Sequence, residues 1–317
     1  MSLPIANPSR SSGRLRRFFL RLIQITGIVL ALAAAVAGGL WWYFHPSCER
    51  SDGIVYGQRS GADLTFSMVK PAHPNGAGVI LMVSGRWKSR PESFDLWVAA
   101  PLLRRGYTVF PVAHRSQPTA SVQETVADVH RAVRFIRHHA ADYGIDPLRI
   151  GVTGGSSGGH LSLMLATRGG PGDAQAADPV DRESSAVQAV AILFPVTNLL
   201  DLGTSTENAG DGGPPRSFRE AFGTEGKDPA LWPKLARELS PVYHVNGKQP
   251  PIFILHGSAD TLVPLEQSEW FREAAAKVGA PAVQLVVREG KKHGWLSIVF
   301  DLRLFADWFD RYLPPRA

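Results

Sequence analysis

Residues 149–161 read Arg149-Ile150-Gly151-Val152-Thr153-Gly154-Gly155-Ser156-Ser157-Gly158-Gly159-His160-Leu161. A short apolar run meets two glycines, two serines and two more glycines, and a helical pattern then begins at His160. A strand-to-helix turn of this kind holds a nucleophile in a strained conformation, with neighbours that lack side chains so that strand and helix approach closely. The hydroxyl then faces the positive end of the helix and open space above a sheet. The pattern G-x-S-x-G fits twice, around Ser156 (Gly154, Gly158) and around Ser157 (Gly155, Gly159). A phosphate-binding glycine loop is the competing reading, but the lysine such a loop needs is missing.

Outward from this turn, short apolar runs alternate with longer helical patterns. Residues 78–83, 107–112, 149–153, 187–194, 251–255 and 283–287 read as strands. Residues 92–105, 122–140, 160–167, 266–278 and 296–312 read as helices, the second with Val126, Val129, Val133 and Ile136 on one face. Continuous apolar strands separated by helices predict an α/β domain whose mostly parallel central sheet is covered on both faces. No internal repeat is visible. Glycine- and proline-rich stretches at 169–185 and 201–217 interrupt the pattern, and residues 201–239 read as a small insertion over one sheet edge, mobile enough to act as a lid.

If the turn carries a nucleophile, an acid and a histidine should follow in that order, each just after a later strand. The run 251–255 leads to Asp260, and 283–287 leads to His293. Asp201 is the reserve acid. His256 reads as packing at a strand end, His138 and His139 as exposed on a helix, and His160 as a support for the loop.

With these residues in hand, the chain resembles the α/β-hydrolase fold, and within it the esterase and feruloyl-esterase-like branch near the hormone-sensitive-lipase and prolyl-oligopeptidase families. Residues 143–161, 256–264 and 293–295 carry the resemblance, which spans 54–313. In that branch the nucleophile stands four residues before a histidine, which selects Ser156 and assigns the backbone N–H of Ser157 to the oxyanion hole. The resemblance also implies Gly85 and Arg86 N–H groups as the hole's other half. Here the sequence departs: relatives carry His-Gly-Gly-x-Trp, and this chain has Val83-Ser84-Gly85-Arg86-Trp87. Trp87 and Trp295 are expected to wall the substrate pocket, and Arg86 reads as a surface arginine or a contact for an acidic substrate group.

The 317 residues carry a formal charge of +6 and a single cysteine, Cys48. Five arginines at 10, 14, 16, 17 and 21 are the only charged side chains before Glu49, so the rest of the chain is close to neutral. Charge therefore gives no argument for a nucleic-acid partner, and one cysteine cannot form an internal disulfide. Residues 22–44 contain no charge, the length a bilayer-spanning helix requires. Arginines on one side only predict a cytoplasmic tail (1–21), a signal-anchor helix (22–44) and an extracytoplasmic catalytic domain (46–317). A cleaved export signal, with an Ala35-Val36-Ala37 site or a twin-arginine character, is the alternative.

The expected function is hydrolysis of a small-molecule carboxylic ester by Ser156, His293 and Asp260 through an acyl-enzyme, without metal or organic cofactor. A small serine peptidase of the prolyl-oligopeptidase type and a non-catalytic envelope binding protein are the other readings. The first lacks room for a propeller ahead of the domain. The second has to explain a serine, acid and histidine in the required order.

Overall fold

The computed structural model describes residues 11–315; Arg10 and the rest of the first ten residues lie outside them. The chain divides into two units, Met1–Pro46 and Ser47–Ala317. The first contains helix α1 (Ser11–Phe44), whose stretch Arg16–Phe44 has a mean hydropathy of 2.1 over its most apolar window. Its 29 residues would extend about 44 Å at 1.5 Å per residue, more than the roughly 30 Å of a bilayer core. It is long and apolar enough to cross a membrane.

In the second unit an eight-stranded sheet runs in the order β1-β2-β4-β3-β5-β6-β7-β8. Strands β1 (Cys48–Arg59) and β2 (Ala62–Pro71) form an antiparallel hairpin that periodicity did not predict. Its two-residue loop is Ser60-Gly61, both at positive φ (52° and 73°), the turn whose twist matches that of paired strands. Two register shifts and an exposed, polar outer strand hide its alternation.

Strands β3 (Gly78–Met82), β4 (Thr108–Val112), β5 (Ile150–Gly155), β6 (Ala189–Leu193), β7 (Ile252–Gly257) and β8 (Val283–Arg288) pair in parallel. The central ones are buried nearly throughout, because helices cover both faces. Helix α2 (Leu96–Arg104) starts four residues later than expected, behind a 3₁₀ turn at Pro91–Ser93. Helix α3 (Val122–His138) begins with a reciprocal Ser121–Glu124 cap, and its Val126, Val129, Val133 and Ile136 enter the core as predicted. The short α4 (Ala140–Tyr143) follows it. Helix α5 (Ser157–Arg168) leaves the serine turn, and one-turn α6 (Pro179–Arg182) precedes β6.

Residues 201–239 hold a 3₁₀ segment (Arg216–Phe222) and the short helices α7 (Gly223–Lys227) and α8 (Trp232–Glu238). Helix α9 (Glu266–Lys277) packs on the α3 and α5 side of the sheet. After one-turn α10 (Ile298–Asp301), α11 (Arg303–Tyr312) packs with α2 on the other. The insertion differs from the expected loose lid at a sheet edge. Phe222, Trp232, Leu235, Ala236 and Leu239 are buried in the main core, anchored at the carboxyl ends of the strands. Ser205 and Thr206 bond backbone carbonyls of Leu262 and Thr261 in the loop after β7.

Candidate active site

Ser156 stands between β5 and α5 with φ 55° and ψ −119°, a region where a non-glycine residue costs on the order of 1–3 kcal/mol. Neighbouring glycines make that turn possible. A Cβ on Gly154 would lie 2.6 Å from the backbone of Gly158, and one on Gly158 would lie 2.8 Å from the Met82 carbonyl. A Cβ on Gly155 would meet nothing closer than 3.5 Å. The pair that geometry demands is therefore Gly154 and Gly158, the frame centred on Ser156. Ser157 is buried, and its Oγ lies 3.1 Å from Ser84 Oγ.

The structure brings together the three side chains that the sequence singled out. His293 Nε2 is 3.1 Å from Ser156 Oγ, and His293 Nδ1 is 2.7 Å from Asp260 Oδ2. The other Asp260 oxygen, Oδ1, accepts from the backbone N–H groups of Leu262 and Val263, each at 3.0 Å. Burial pushes this carboxyl up, but hydrogen bonds from His256 and His293, the nearby His293 charge and the Val263 N–H outweigh it and hold it at about 2. The aspartate is therefore an anion at neutral pH, with no lone pair turned to solvent. Gly257 lets the two loops meet: a Cβ there would sit 2.2 Å from the Lys291 carbonyl.

The turn after β3 corrects one expectation. The Gly85 N–H donates to the Lys88 carbonyl at 2.9 Å, and the Lys88 N–H returns a bond to Gly85 at the same distance. That small closed turn consumes the Gly85 donor, so Gly85 cannot serve an oxyanion as drawn. Arg86 and Trp87 follow with φ of 57° and 52°. Among the described residues the backbone N–H groups of Arg86 and Ser157 have no acceptor. Ser157 is the first residue of α5, where N–H groups lack an intrahelical partner and carry the positive end of the dipole.

A cavity of about 40 Å³ opens at Ser156, walled by Trp87, Val196, Leu202, Phe218 and Leu262, with Arg86 and Glu207 at its polar side. Trp87 lines it, packed edge-on against Phe218 and Phe222 of the insertion. Trp295 does not line it. Its indole N–H donates to Asp301 at 2.8 Å, which turns the ring toward α10. The residue that periodicity missed is Phe194, whose ring lies 4.3 Å from the His293 ring and whose φ of 32° places it there. Its only signal was its position at the end of an apolar strand followed by proline.

The other histidines and Asp201 occupy structural positions. His160 is fully buried between the Trp87 indole N–H (3.1 Å) and the Leu239 carbonyl (2.7 Å), and burial pushes its ring down to about 4. It ties the β3 turn to the insertion. His256 bonds Ser268 and the Val263 carbonyl beside Asp260. Asp201 caps the Gly203 N–H and is exposed. Among the described residues, no cluster of three His, Cys, Asp or Glu side chains is arranged to hold a metal ion.

The probable isoprenylcysteine alpha-carbonyl methylesterase ICMEL1 of Arabidopsis thaliana is 26% identical over 268 residues, 83% of this chain and 54% of its own. Esterase LipQ of Mycobacterium tuberculosis is 30% identical over 282 residues, 84% of this chain and 62% of its own. The chain thus spans only about half to three-fifths of these relatives. A thermophilic esterase of the Planctomycetes species Thermogutta terrifontis, solved with propionate bound, superposes with a TM-score of 0.66 at 27% identity, covering 86% of this chain and 97% of that one. The BD-FAE family model matches residues 70–275, a span that includes Ser156 and Asp260 and ends before His293. By that match the chain belongs to the BD-FAE family, within the esterase branch of the α/β-hydrolases.

Proposed function

We propose that this protein is a carboxylic ester hydrolase working through an acyl-enzyme on Ser156. The observation that carries this reading is the unbroken line Asp260–His293–Ser156, with spacings of 2.7 and 3.1 Å, beside two uncommitted backbone N–H groups. Ser156 Oγ bonds to the ester carbonyl carbon as its proton passes to His293 Nε2, and the carbonyl π pair moves onto oxygen. The N–H groups of Ser157 and Arg86 receive that negative charge, each donor being worth about 3 kcal/mol in comparable sites. Collapse breaks the bond to the alcohol oxygen, which takes the proton from His293. Water then adds to the acyl carbon, giving its proton to His293. A second collapse releases the carboxylic acid and returns the proton to Ser156. Asp260 holds the Nδ1–H tautomer and offsets the imidazolium charge throughout.

The acyl part is short. A cavity of about 40 Å³ with apolar walls suits an acyl group of a few carbons, and the propionate-bound esterase supports the same size class. Helix α1 acts as the signal anchor, with the arginine tail in the cytoplasm and the catalytic domain outside it. Protease added to spheroplasts, which reaches a periplasmic or surface domain alike, should then degrade the domain, and protection until the cytoplasmic membrane is lysed would reverse the orientation.

The activity is tested with a fluorophosphonate probe and p-nitrophenyl acetate, butyrate and octanoate on the full chain in detergent. Labelling and turnover should vanish in Ser156→Ala and remain measurable, though slowed, in Ser157→Ala, and wild-type turnover should fall with chain length. An unlabelled, folded wild type would overturn the hydrolase reading, and labelling that follows Ser157 would overturn the serine assignment.

A further inference from the structure

Two consecutive non-glycine residues at positive φ, Arg86 and Trp87, persist only if their surroundings over-determine them. Besides the Gly85–Lys88 bonds and the packing of Trp87, the flanks of that turn are held by His114, a buried residue of the loop after β4 that the mechanism does not use. Its backbone N–H donates to Ser89 Oγ at 3.2 Å, and the Ser89 hydroxyl donates to the Val83 carbonyl. Its ring Nε2 lies 2.9 Å from Ser84 Oγ, which lies 3.1 Å from Ser157 Oγ. One histidine therefore grips the turn at both Ser84 and Ser89.

The direction of these bonds follows from chemistry. His114 Nδ1 lies 2.7 Å from the Arg115 carbonyl, which can only accept, so Nδ1 carries the proton. Burial disfavours the imidazolium, so Nε2 presents a lone pair. The Ser84 hydroxyl then donates to Nε2, leaving its oxygen to accept from the Ser157 hydroxyl. The chain runs Ser157 to Ser84 to His114 to the Arg115 carbonyl, with every proton assigned. It commits the Ser157 hydroxyl away from His293, and it clasps the β3 turn to the first residue of α5.

We propose that His114 is a positioning residue that, through Ser84, fixes the separation of the Arg86 and Ser157 N–H groups and so shapes the oxyanion pocket. It does the bracing in a turn whose sequence, Val83-Ser84-Gly85-Arg86-Trp87, provides no histidine of its own. The proposal rests on the esterase reading for its kinetic consequences, but the brace itself can be read without turnover.

The test uses the full chain in detergent with Ser84→Ala, His114→Ala and His114→Gln. A 1 Å misplacement of a catalytic group can cost about a hundredfold. In Ser84→Ala and His114→Ala, kcat should fall roughly 10- to 100-fold on p-nitrophenyl butyrate with KM within about twofold. The Ki of butylboronic acid, a tetrahedral mimic, should rise in proportion. His114→Gln, whose side-chain carbonyl can accept from Ser84, should recover much of the loss. Amide exchange over residues 83–88 should quicken in the two alanine variants and stay near wild type in His114→Gln. Equal loss in Gln and Ala variants, or a boronate affinity that stays constant while kcat falls, would reduce His114 to a packing residue. Should His114→Ala fail to fold, Ser84→Ala carries the test, because it removes the link and keeps the ring. If the wild type hydrolyses no ester, the esterase reading falls alone; unchanged exchange in Ser84→Ala sinks the brace whatever the turnover.

Discussion

Asp260 meets His293 through one oxygen only: Oδ2 lies 2.7 Å from Nδ1, while Oδ1 is taken by the N–H groups of Leu262 and Val263 at 3.0 Å. This division fixes how an amide would sit in the same place. In Asp260→Asn the two backbone donors hold the amide oxygen at the Oδ1 position, which turns the amide NH₂ toward His293. The imidazole then has to accept at Nδ1 and carry its proton on Nε2, where it cannot take the Ser156 proton. The expected result is a loss of about 10⁴ in kcat with little change in KM, as for a triad held in the wrong tautomer. Ester kinetics beside a thermal melt check this, and a loss below about tenfold in a folded variant would remove Asp260 from the proposed mechanism.

What the sequence showed of this arrangement has a physical origin. Ser156 and Asp260 each follow a strand that is largely buried, and such strands appear as apolar runs whose ends can be read off, whereas His293 follows the half-exposed edge strand β8, legible only through Val283, Leu285, Val286 and Val287. Features that depend on which partner wins a hydrogen bond were not legible. Gly85 spends its N–H on Lys88, three residues away, and Trp295 spends its own on Asp301. Neither choice leaves a mark in composition or period. The hairpin of β1 and β2 was missed for a related reason. Its outer strand is exposed and bulged, so burial does not alternate cleanly, and the Ser60-Gly61 turn was the one local signal available. The insertion carried its glycines visibly, whereas the burial that anchors it depends on long-range packing of Phe222 against Trp87, with Trp232 stacked edge-on against Phe222.

Histidines kept neutral by their surroundings make the fold sensitive to mild acid, among them fully buried His160 and half-buried His130. Burial pushes His160 down to about 4, and burial with the nearby Arg134 and Arg168 charges does the same to His130. Both are depressed in the folded state relative to about 6.5 when unfolded. Above pH 6.5 neither state is protonated and nothing is lost. Between 6.5 and 4 the unfolded chain binds protons that the folded chain refuses, so stability falls as pH falls. Each histidine should cost about 2 kcal/mol by pH 5. Asp260, held at about 2, contributes stability that is fully present above the ordinary carboxylate range and is lost only as pH falls through that range, below this window. Denaturant unfolding of the full chain in detergent at pH 7.5 and pH 5.0 measures the difference. An unchanged midpoint would mean that these rings open to solvent before the fold does.

Phe218 offers control over the acyl group. It belongs to the insertion, lines the cavity at Ser156 and packs edge-on against Trp87 at 5.9 Å. Replacing it with alanine lengthens the cavity without touching Ser156, His293 or Asp260. One methylene in an apolar pocket is worth about 1–3 kcal/mol in discrimination. In Phe218→Ala the kcat/KM ratio of octanoate to butyrate esters should therefore rise roughly tenfold or more. Trp87 directly follows Arg86, whose N–H is a proposed oxyanion donor, so loss of Phe218 also perturbs the support of that N–H. The acetate ester separates the two effects, because it does not reach the enlarged region. An acetate rate close to wild type with improved octanoate turnover assigns the cavity to the acyl chain. A uniform fall across all three esters would instead make Phe218 a support for the turn and assign the acyl chain to another part of the site.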